Sequence, residues 1–485
     1  MNKKLLALVG SVVMLGSTLA LSACGDEDKN QFTIAYLAAG RGETYVEKLY
    51  EEFQKTDVYK DYLKERGLDD LKLNVIKGGT DNVTGNVQNA MNTGTKVDVL
   101  FLNYNMSGVA LTESFVRSKQ LVDLTSLLDE KVYGEETTLG EKLVPGLLEN
   151  YTIKPYGDGK VYTLPAFYSP TGLWYDASRF NENGTDGKYK LPATWEEFWA
   201  LGDRLNRANA NGTKVTADTP ALFTYPTTGY FDGFIYAAIA GMAGEEKFQK
   251  VLGYADGIWK DPDVMSALEN VVRLRDYLEP NTVAQANKDS FQQNQQAVIG
   301  SADGKTKGTA LFVPNGDWLP SEMAASTPEG FEWGFTALPK KDENSKSYVN
   351  TFIENVYLHK DGNHGELAKD FLLYYFSNEG AKIVAKEAKA IIPTSDALKN
   401  AKENGIADST IDLYNVYNGD VVAISGGFAA TESVTGLEWS DVLFNRLNDD
   451  VFNAKNKNTS VADLLKSWSD KLEDASDKLR ANIIK

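Results

Sequence analysis

Gln31-Phe32-Thr33-Ile34-Ala35-Tyr36-Leu37 alternates apolar and polar side chains, and Val97-Asp98-Val99-Leu100-Phe101-Leu102 is an almost unbroken apolar run. Alternation with period two predicts a strand. A continuous apolar run of this length predicts a parallel strand buried on both faces. Between them, Thr44 is placed to start a helix running to about Lys55, with Val46, Leu49, Tyr50 and Phe53 on one face. Leu71–Ile76 reads as a further strand closed by Gly78-Gly79, and a helical turn follows around Val83–Met91. Strand, helix, strand, helix, strand at this spacing predicts an α/β lobe with a parallel sheet. Ligands of such sheets sit beyond the carboxyl ends of the strands. Here those ends are Ala38–Glu43 and Asn103-Tyr104-Asn105.

Further along, Val161–Ala166 and Gly172–Tyr175 read as two short strands joined by Phe167–Thr171. Thr194-Trp195-Glu196-Glu197 is a capping box, with Thr194 as N-cap, that starts a helix running to about Arg207. Amphipathic helices are expected over Val264–Leu278, Leu367–Phe376 and a C-terminal stretch carrying Val461, Leu464, Leu465, Trp468 and Leu472. Trp195, Trp199 and Trp468 fall at helical spacing and read as core. Leu311–Val313 is a strand that opens into Pro314-Asn315-Gly316-Asp317-Trp318.

Composition narrows the function. The chain has 485 residues, too many for one compact core and right for two lobes. A net charge of −18 argues against binding nucleic acid or anionic lipid headgroups. With 2 histidines and 1 cysteine, the chain lacks the ligand set of a zinc site, and no metal or cofactor is expected. His359 and His364 lie in a polar segment and read as a solvated loop pair. The sequence contains no G-x-S-x-G elbow and no Walker loop, and Gly40-Arg41-Gly42 lacks the third glycine of a dinucleotide fingerprint. Aromatic residues near glycine and proline suit a surface that holds something flat.

Lys3 and Lys4, the apolar run Leu5–Leu21 and the small pair Ser22-Ala23 before Cys24 compose a secretory signal. Leu21-Ser22-Ala23-Cys24 resembles a bacterial lipoprotein signal, in which the cysteine is lipidated and becomes the mature N-terminus. That resemblance implies a signal peptide over 1–23, a polar tether over 24–30, and attachment to the outer face of the cytoplasmic membrane through lipid alone. Removing Lys3 and Lys4 with the signal changes the charge from −18 to −20.

Asp158-Gly159-Lys160-Val161-Tyr162-Thr163-Leu164-Pro165, Gly172-Leu173-Trp174-Tyr175-Asp176 and Leu191-Pro192-Ala193-Thr194-Trp195-Glu196-Glu197-Phe198 follow one another in order. Together they resemble the solute-binding proteins of sugar ABC transporters, the maltose-binding-like family. Lys96–Phe101 is similar to that family's "P-D-V-x-F" strand, with Val97 where proline is usual. Asn315-Gly316-Asp317-Trp318 is similar to its "N-G-x-W", and Glu366–Glu379 with Ile392-Pro393-Thr394 to its ending.

The resemblance implies an α/β, two-lobe, periplasmic-binding-protein-like architecture of class II type, with the ligand cleft between the lobes. It places the N-terminal lobe at 31–156 and 340–390 and the C-terminal lobe at 161–339 and 393–485. Hinge crossings are expected at 157–160, 338–339 and 391–393. It also implies a sugar or oligosaccharide ligand, ABC permease subunits as partners, a monomer, and no catalysis. A lipid-anchored glycan-degrading enzyme and a surface sugar-sensing or adhesion protein are the alternatives.

By motif position, the expected ligand residues on the second lobe are Tyr230, Phe231, Asn315, Asp317, Trp318, Glu438 and Trp439. On the first they are Arg41, Glu43, Asn103, Tyr104 and Asn105, with Tyr168 and Ser169 between the two short strands. Ser169 stands where the family commonly has a carboxylate. A pyranose offers an apolar C–H face and a rim of hydroxyls, which aromatic rings and carboxylate or amide groups match. The segment from Asn315 to Met323, followed by Pro328–Phe331, is similar to the subgroup that binds N-acetylglucosamine and chitobiose. A uronate held by Arg41 is the alternative.

Overall fold

The computed structural model describes residues 28–38, 44–79, 82–102, 110–144, 147–150, 156, 158–210, 215–417, 421–453 and 458–484. The signal segment with Cys24, and the candidates Arg41, Glu43, Asn103, Tyr104 and Asn105, lie outside these residues.

Among the described residues, nine strands make one mixed sheet: β1 Gln31–Leu37, β2 Lys72–Gly78, β3 Val99–Phe101, β4 Leu164–Asp176, β5 Ala221–Phe223, β6 Ala310–Gly316, β7 Trp333–Thr336, β8 Ser347–Leu358 and β9 Val421–Ile424. Their order is β2-β1-β3-β8-β4-β6-β5, with β7 on β4 and β9 on β8. β1 pairs in parallel with both β2 and β3, as the spacing predicted. The buried Asp98 (1 % exposed) ties this corner together, because its two carboxylate oxygens accept from the Thr33 and His364 N–H groups, both at 2.8 Å.

The helices bury the faces that their sequences predict. Helix Tyr45–Phe53 buries Val46, Leu49, Tyr50 and Phe53, and helix Val461–Arg480 buries Leu464, Leu465, Trp468 and Leu472. Helix Trp195–Ala210 starts where the capping signal stands, since Thr194 Oγ1 accepts from Glu197 N at 3.2 Å. The reciprocal arm differs slightly: Glu197 Oε2 takes the Ala193 N–H at 2.8 Å.

Two large hydrophobic cores result. The first gathers Phe32, Ile34, Tyr50, Phe53, Phe371 and Tyr374; the second gathers Phe198, Phe231, Ile235, Leu268, Phe312 and Trp468. A small third cluster surrounds Trp174 with Val298, Val313 and Leu319. Burying each large apolar side chain contributes about 1.5–3 kcal/mol, so both lobes are held by packing.

The strands that join the cores differ from the sequence reading. Where two short strands with an intervening loop were expected, β4 is one strand of 13 residues. Along Leu164–Thr171 it pairs antiparallel with β8, and it gains β6 as a second neighbour only from Thr171 onward. Pro165 and Pro170 therefore sit where one edge needs no ladder donor, which is where a strand tolerates proline. Phe167 and Tyr168 belong to the first core and Leu173 to the second; on β8, Tyr348 belongs to the second and Ile353 to the first. Core membership thus changes over inside the β4–β8 ribbon, downstream of the crossings read at 157–160 and 338–339. Ala397, Ala401 and Tyr414 pack in the first core, although they follow Pro393.

The histidines also differ. His359 and His364 are only 4 % and 5 % exposed. His359 packs edge-on against Phe115 with ring centroids 4.7 Å apart, and His364 Nδ1 lies 2.9 Å from the Tyr62 hydroxyl. β8 runs on to Leu358 and carries the segment inward, and burial lowers the pKa of both imidazoles.

Candidate ligand-binding site

A cavity of about 420 Å³ lies beside the β4–β8 ribbon and is lined, among others, by Thr171, Tyr230, Asp232, Asn315, Trp318, Asn350 and Phe352. This volume falls within the roughly 300–1,000 Å³ of small-molecule sites.

The loop after β6 supplies its aromatic floor. Trp174, fully buried on β4, donates its indole N–H to the Gly316 carbonyl at 3.0 Å and fixes where the strand ends. The Trp318 ring then folds back over Gly316, so close that a Cβ at that position would stand 2.2 Å from it. Glycine is the residue that admits this approach. Trp318 Nε1 donates to the Tyr230 hydroxyl at 3.3 Å, with ring centroids 6.0 Å apart at 44°. Phe352 of β8 closes the row edge-on, 6.0 Å from Trp318 at 78°. It is 40 % exposed, one of two large apolar side chains so exposed among the described residues.

The polar groups come from three elements. Helix Phe231–Ala243 brings Asp232 in its first turn, where its carboxylate accepts from the Gly233 N–H. The helix terminus favours the charged form of such a carboxylate and burial opposes it. Burial wins, and the pKa of Asp232 is pushed up to about 6. Gly233 lets the helix lie against the ribbon, because a Cβ there would meet Thr171 Oγ1 at 2.5 Å.

Asn315 Nδ2 and Asn350 Oδ1 are buried without a hydrogen-bond partner among the described residues. The partners of the opposite ends fix which atom is which. Asn315 Oδ1 accepts from Gly316 N at 2.8 Å. Thr171 Oγ1 spends its proton on the Asn350 carbonyl at 2.9 Å, so it receives Nδ2 of the same residue at 3.1 Å.

The structure brings together Tyr230, Asn315 and Trp318 of the expected residues, and sets Asp317 beside them with Oδ2 3.0 Å from the Tyr414 hydroxyl. Phe231 is fully buried against Tyr225 and Phe452. Trp439 packs against Phe428, Tyr254 and Trp259, and the neighbouring Glu438 lines a separate cleft of about 310 Å³ with Arg446 and Trp468. Tyr168 and Ser169 are buried in the ribbon, and the Tyr168 carbonyl accepts from Tyr414 at 2.7 Å.

Asp232, Thr171, Asn350 and Phe352 were missed. The signal for the last two was the run Tyr348–Tyr357, rich in β-branched and aromatic residues, which reads as a strand once looked for. Asp232 directly follows the aromatic pair already singled out. One carboxylate cluster among the described residues, Asp256, Glu473 and Asp477, has metal-like spacing, but the Arg480 guanidinium bonds Asp256 and Asp477 at 3.0 and 2.6 Å. No helix of the described residues is long and apolar enough to cross a membrane.

A sequence profile of bacterial extracellular solute-binding proteins matches residues 49–410. The multiple sugar-binding protein of Streptococcus mutans is 23 % identical over 252 residues, 49 % of this chain and 55 % of that one. The chain spans about half the length of the curated relatives it matches. Among solved structures, the sugar-binding protein MalE of Xanthomonas citri superposes with a TM-score of 0.61 at 14 % identity, covering 93 % of this chain and 98 % of that one. Apo RafE of Streptococcus pneumoniae gives a TM-score of 0.58 at 18 % identity, covering 93 % and 98 %. RafE with bound raffinose gives 0.53 at 18 %, covering 91 % and 100 %. These likenesses establish the two-lobe solute-binding fold.

Proposed function

We propose, from the premise that this chain belongs to the bacterial extracellular solute-binding protein family, that it captures a sugar or oligosaccharide and hands it unaltered to an ABC importer. The observation that carries this reading is the row Tyr230–Trp318–Phe352 standing beside Asp232 and the two unsatisfied asparagines. Flat apolar rings suit the C–H face of a pyranose, and carboxylate and amide groups suit its hydroxyl rim. The names of the Streptococcus mutans relative and of the raffinose complex of RafE support a carbohydrate.

The cycle is closure about the β4–β8 ribbon. The second lobe presents the aromatic row; Arg41, Glu43, Asn103, Tyr104 and Asn105 are the first-lobe candidates that the family resemblance supplies. Sugar favours the closed form because only there are both sets of contacts made. The closed monomer docks on permease subunits. Its family places the protein outside the cytoplasm. Lipid on Cys24 holds it at the membrane, so Cys24→Ala should release the protein into the medium.

Thermal melting of the purified protein with neutral, acetylated and acidic oligosaccharides tests the reading. A ligand present at a hundred times its Kd stabilises the fold by about 2.7 kcal/mol and raises Tm visibly. No new reducing ends should appear. Trp318→Ala should weaken binding by well over tenfold while the protein stays folded. Unchanged affinity would remove this cavity from the site.

A further inference from the structure

We propose that the second-lobe wall of this cavity selects a neutral, hydroxyl-rich sugar and rejects carboxylated ones, with Asp232 as the specificity-determining residue. The inference rests on the sugar-binding reading and adds the ligand's charge and hydrogen-bonding character.

Asp232 stands in the first turn of helix Phe231–Ala243 and lines the cavity. The N-terminus of a helix is ordinarily a place for a ligand's negative charge. Here the protein's own carboxylate occupies it and takes the Gly233 N–H. A uronate brought to this wall meets a like charge at the point where an anion would otherwise be welcomed. None of the described residues lining the cavity is cationic.

The bonding capacity of the wall points the same way. An ionised carboxylate only accepts hydrogen bonds. Among the described residues Gly233 N–H is the partner of Asp232, which leaves acceptor capacity for a ligand. Asn350 Oδ1 adds an unsatisfied acceptor and Asn315 Nδ2 an unsatisfied donor. Hydroxyl groups, each with one proton to give and lone pairs to receive, satisfy such a mixture. Carboxylates, which only accept, do not.

A protonated amine would also satisfy Asp232, and aromatic rows can cradle cations. The cavity volume of about 420 Å³, with polar groups on three elements, favours a polyhydroxylated ligand over a compact ammonium.

The test is isothermal titration of the purified full chain with raffinose, maltotriose, N,N′-diacetylchitobiose, trigalacturonate and choline, repeated on Asp232→Asn, Asp232→Glu and Trp318→Ala. At least one neutral sugar should bind at least tenfold more tightly than trigalacturonate. Asp232→Asn should weaken the neutral sugar about tenfold and narrow the gap to the acid, whereas Asp232→Glu, which keeps the charge, should keep the preference. Circular dichroism of each variant separates lost binding from lost fold. Tighter binding of trigalacturonate or of choline than of every neutral sugar overturns the proposal. So does an Asp232→Asn variant with unaltered affinity and preference while Trp318→Ala abolishes binding, and that result leaves the sugar reading standing. Absence of binding by every sugar overturns both.

Discussion

The Tyr414 hydroxyl, from the helix Asp408–Tyr414 that packs in the first core, lies 3.0 Å from Asp317 Oδ2, the residue immediately before Trp318. The same hydroxyl donates to the Tyr168 carbonyl on β4 at 2.7 Å. One phenol therefore joins the loop after β6, the β4–β8 ribbon and a helix of the first core. Tyr417, one turn on, adds to the contact by meeting Thr351 Oγ1 of β8 at 2.8 Å and packing against Tyr168.

Removing that hydroxyl should loosen both links at once. Tyr414→Phe takes the donor from the buried Tyr168 carbonyl and removes the contact with the partly buried Asp317 carboxylate, which costs about 1–3 kcal/mol. A fall in Tm of several degrees is expected by calorimetry. Affinity for sugar should fall by about threefold to tenfold, since Trp318 is then less firmly placed. A variant with wild-type Tm and wild-type affinity would show that the contact is incidental.

The aromatic residues permit a sharper comparison. Phe352 is exposed at the cavity, whereas Trp439 is half-buried between Phe428, Tyr254 and Trp259. Phe352→Ala should leave the Tm of the free protein nearly unchanged and reduce affinity about fivefold or more. Trp439→Ala should do the reverse: lose about 3 kcal/mol of stability through the void it leaves, with affinity retained in the folded fraction. Urea unfolding and titration calorimetry on both variants read the two effects separately.

How much of this was legible beforehand depended on whether a signal was local. The β1–β3 half-sheet and helix Tyr45–Phe53 announce themselves by periodicity, and their residues fall where the periods put them. The N-G-D-W turn is local too, and Asn315 and Trp318 do line the cavity. The β4–β8 ribbon was not legible, because Pro165 and Pro170 look like breaks until one knows that β4 lacks a second neighbour there. Phe352 and Asn350 reach the site only through that pairing, across a long sequence separation. Trp439 stands three residues after Gly436 and Trp318 two after Gly316, and no local signal tells which way the backbone turns either ring.

At Gly316 the Trp318 ring leaves no room for a side chain. Alanine at this position would place its Cβ 2.2 Å from the Trp318 ring, and the whole side chain would have to swing away. The β6 ladder and the Trp174 bond to the Gly316 carbonyl use backbone atoms that alanine keeps. Gly316→Ala should therefore remain folded, shift the tryptophan emission, and lose at least tenfold in sugar affinity. Retention of full affinity would mean that the indole has a second productive position.

Asp232 makes both folding and binding respond to pH. Burial raises its pKa to about 6, against about 3.9 for an aspartate in an unfolded chain. Between those values the folded protein holds the proton more tightly than the unfolded chain does. This group's contribution to stability is thus fully present below about 3.9 and lost as pH rises through 6. Hydroxyl donors from a sugar favour the ionised form, so binding expels the proton, and affinity should rise with pH until it levels off above about 7. At pH 5 a pKa of 6 leaves roughly one carboxylate in ten ionised, and affinity should be up to about tenfold lower than at pH 7.5. Tyr230 and Tyr236, which share this end of the helix, have pKa values raised by burial and stay protonated throughout. Asp98 and Asp370 also titrate near 6, but they lie on Val97–Leu102 and helix Gly365–Tyr375 and affect stability in both proteins alike. Calorimetric titrations of wild type and Asp232→Asn from pH 5 to 8 isolate the cavity's share. The wild-type curve should slope and the variant's should be flat; parallel curves would assign the dependence to another group.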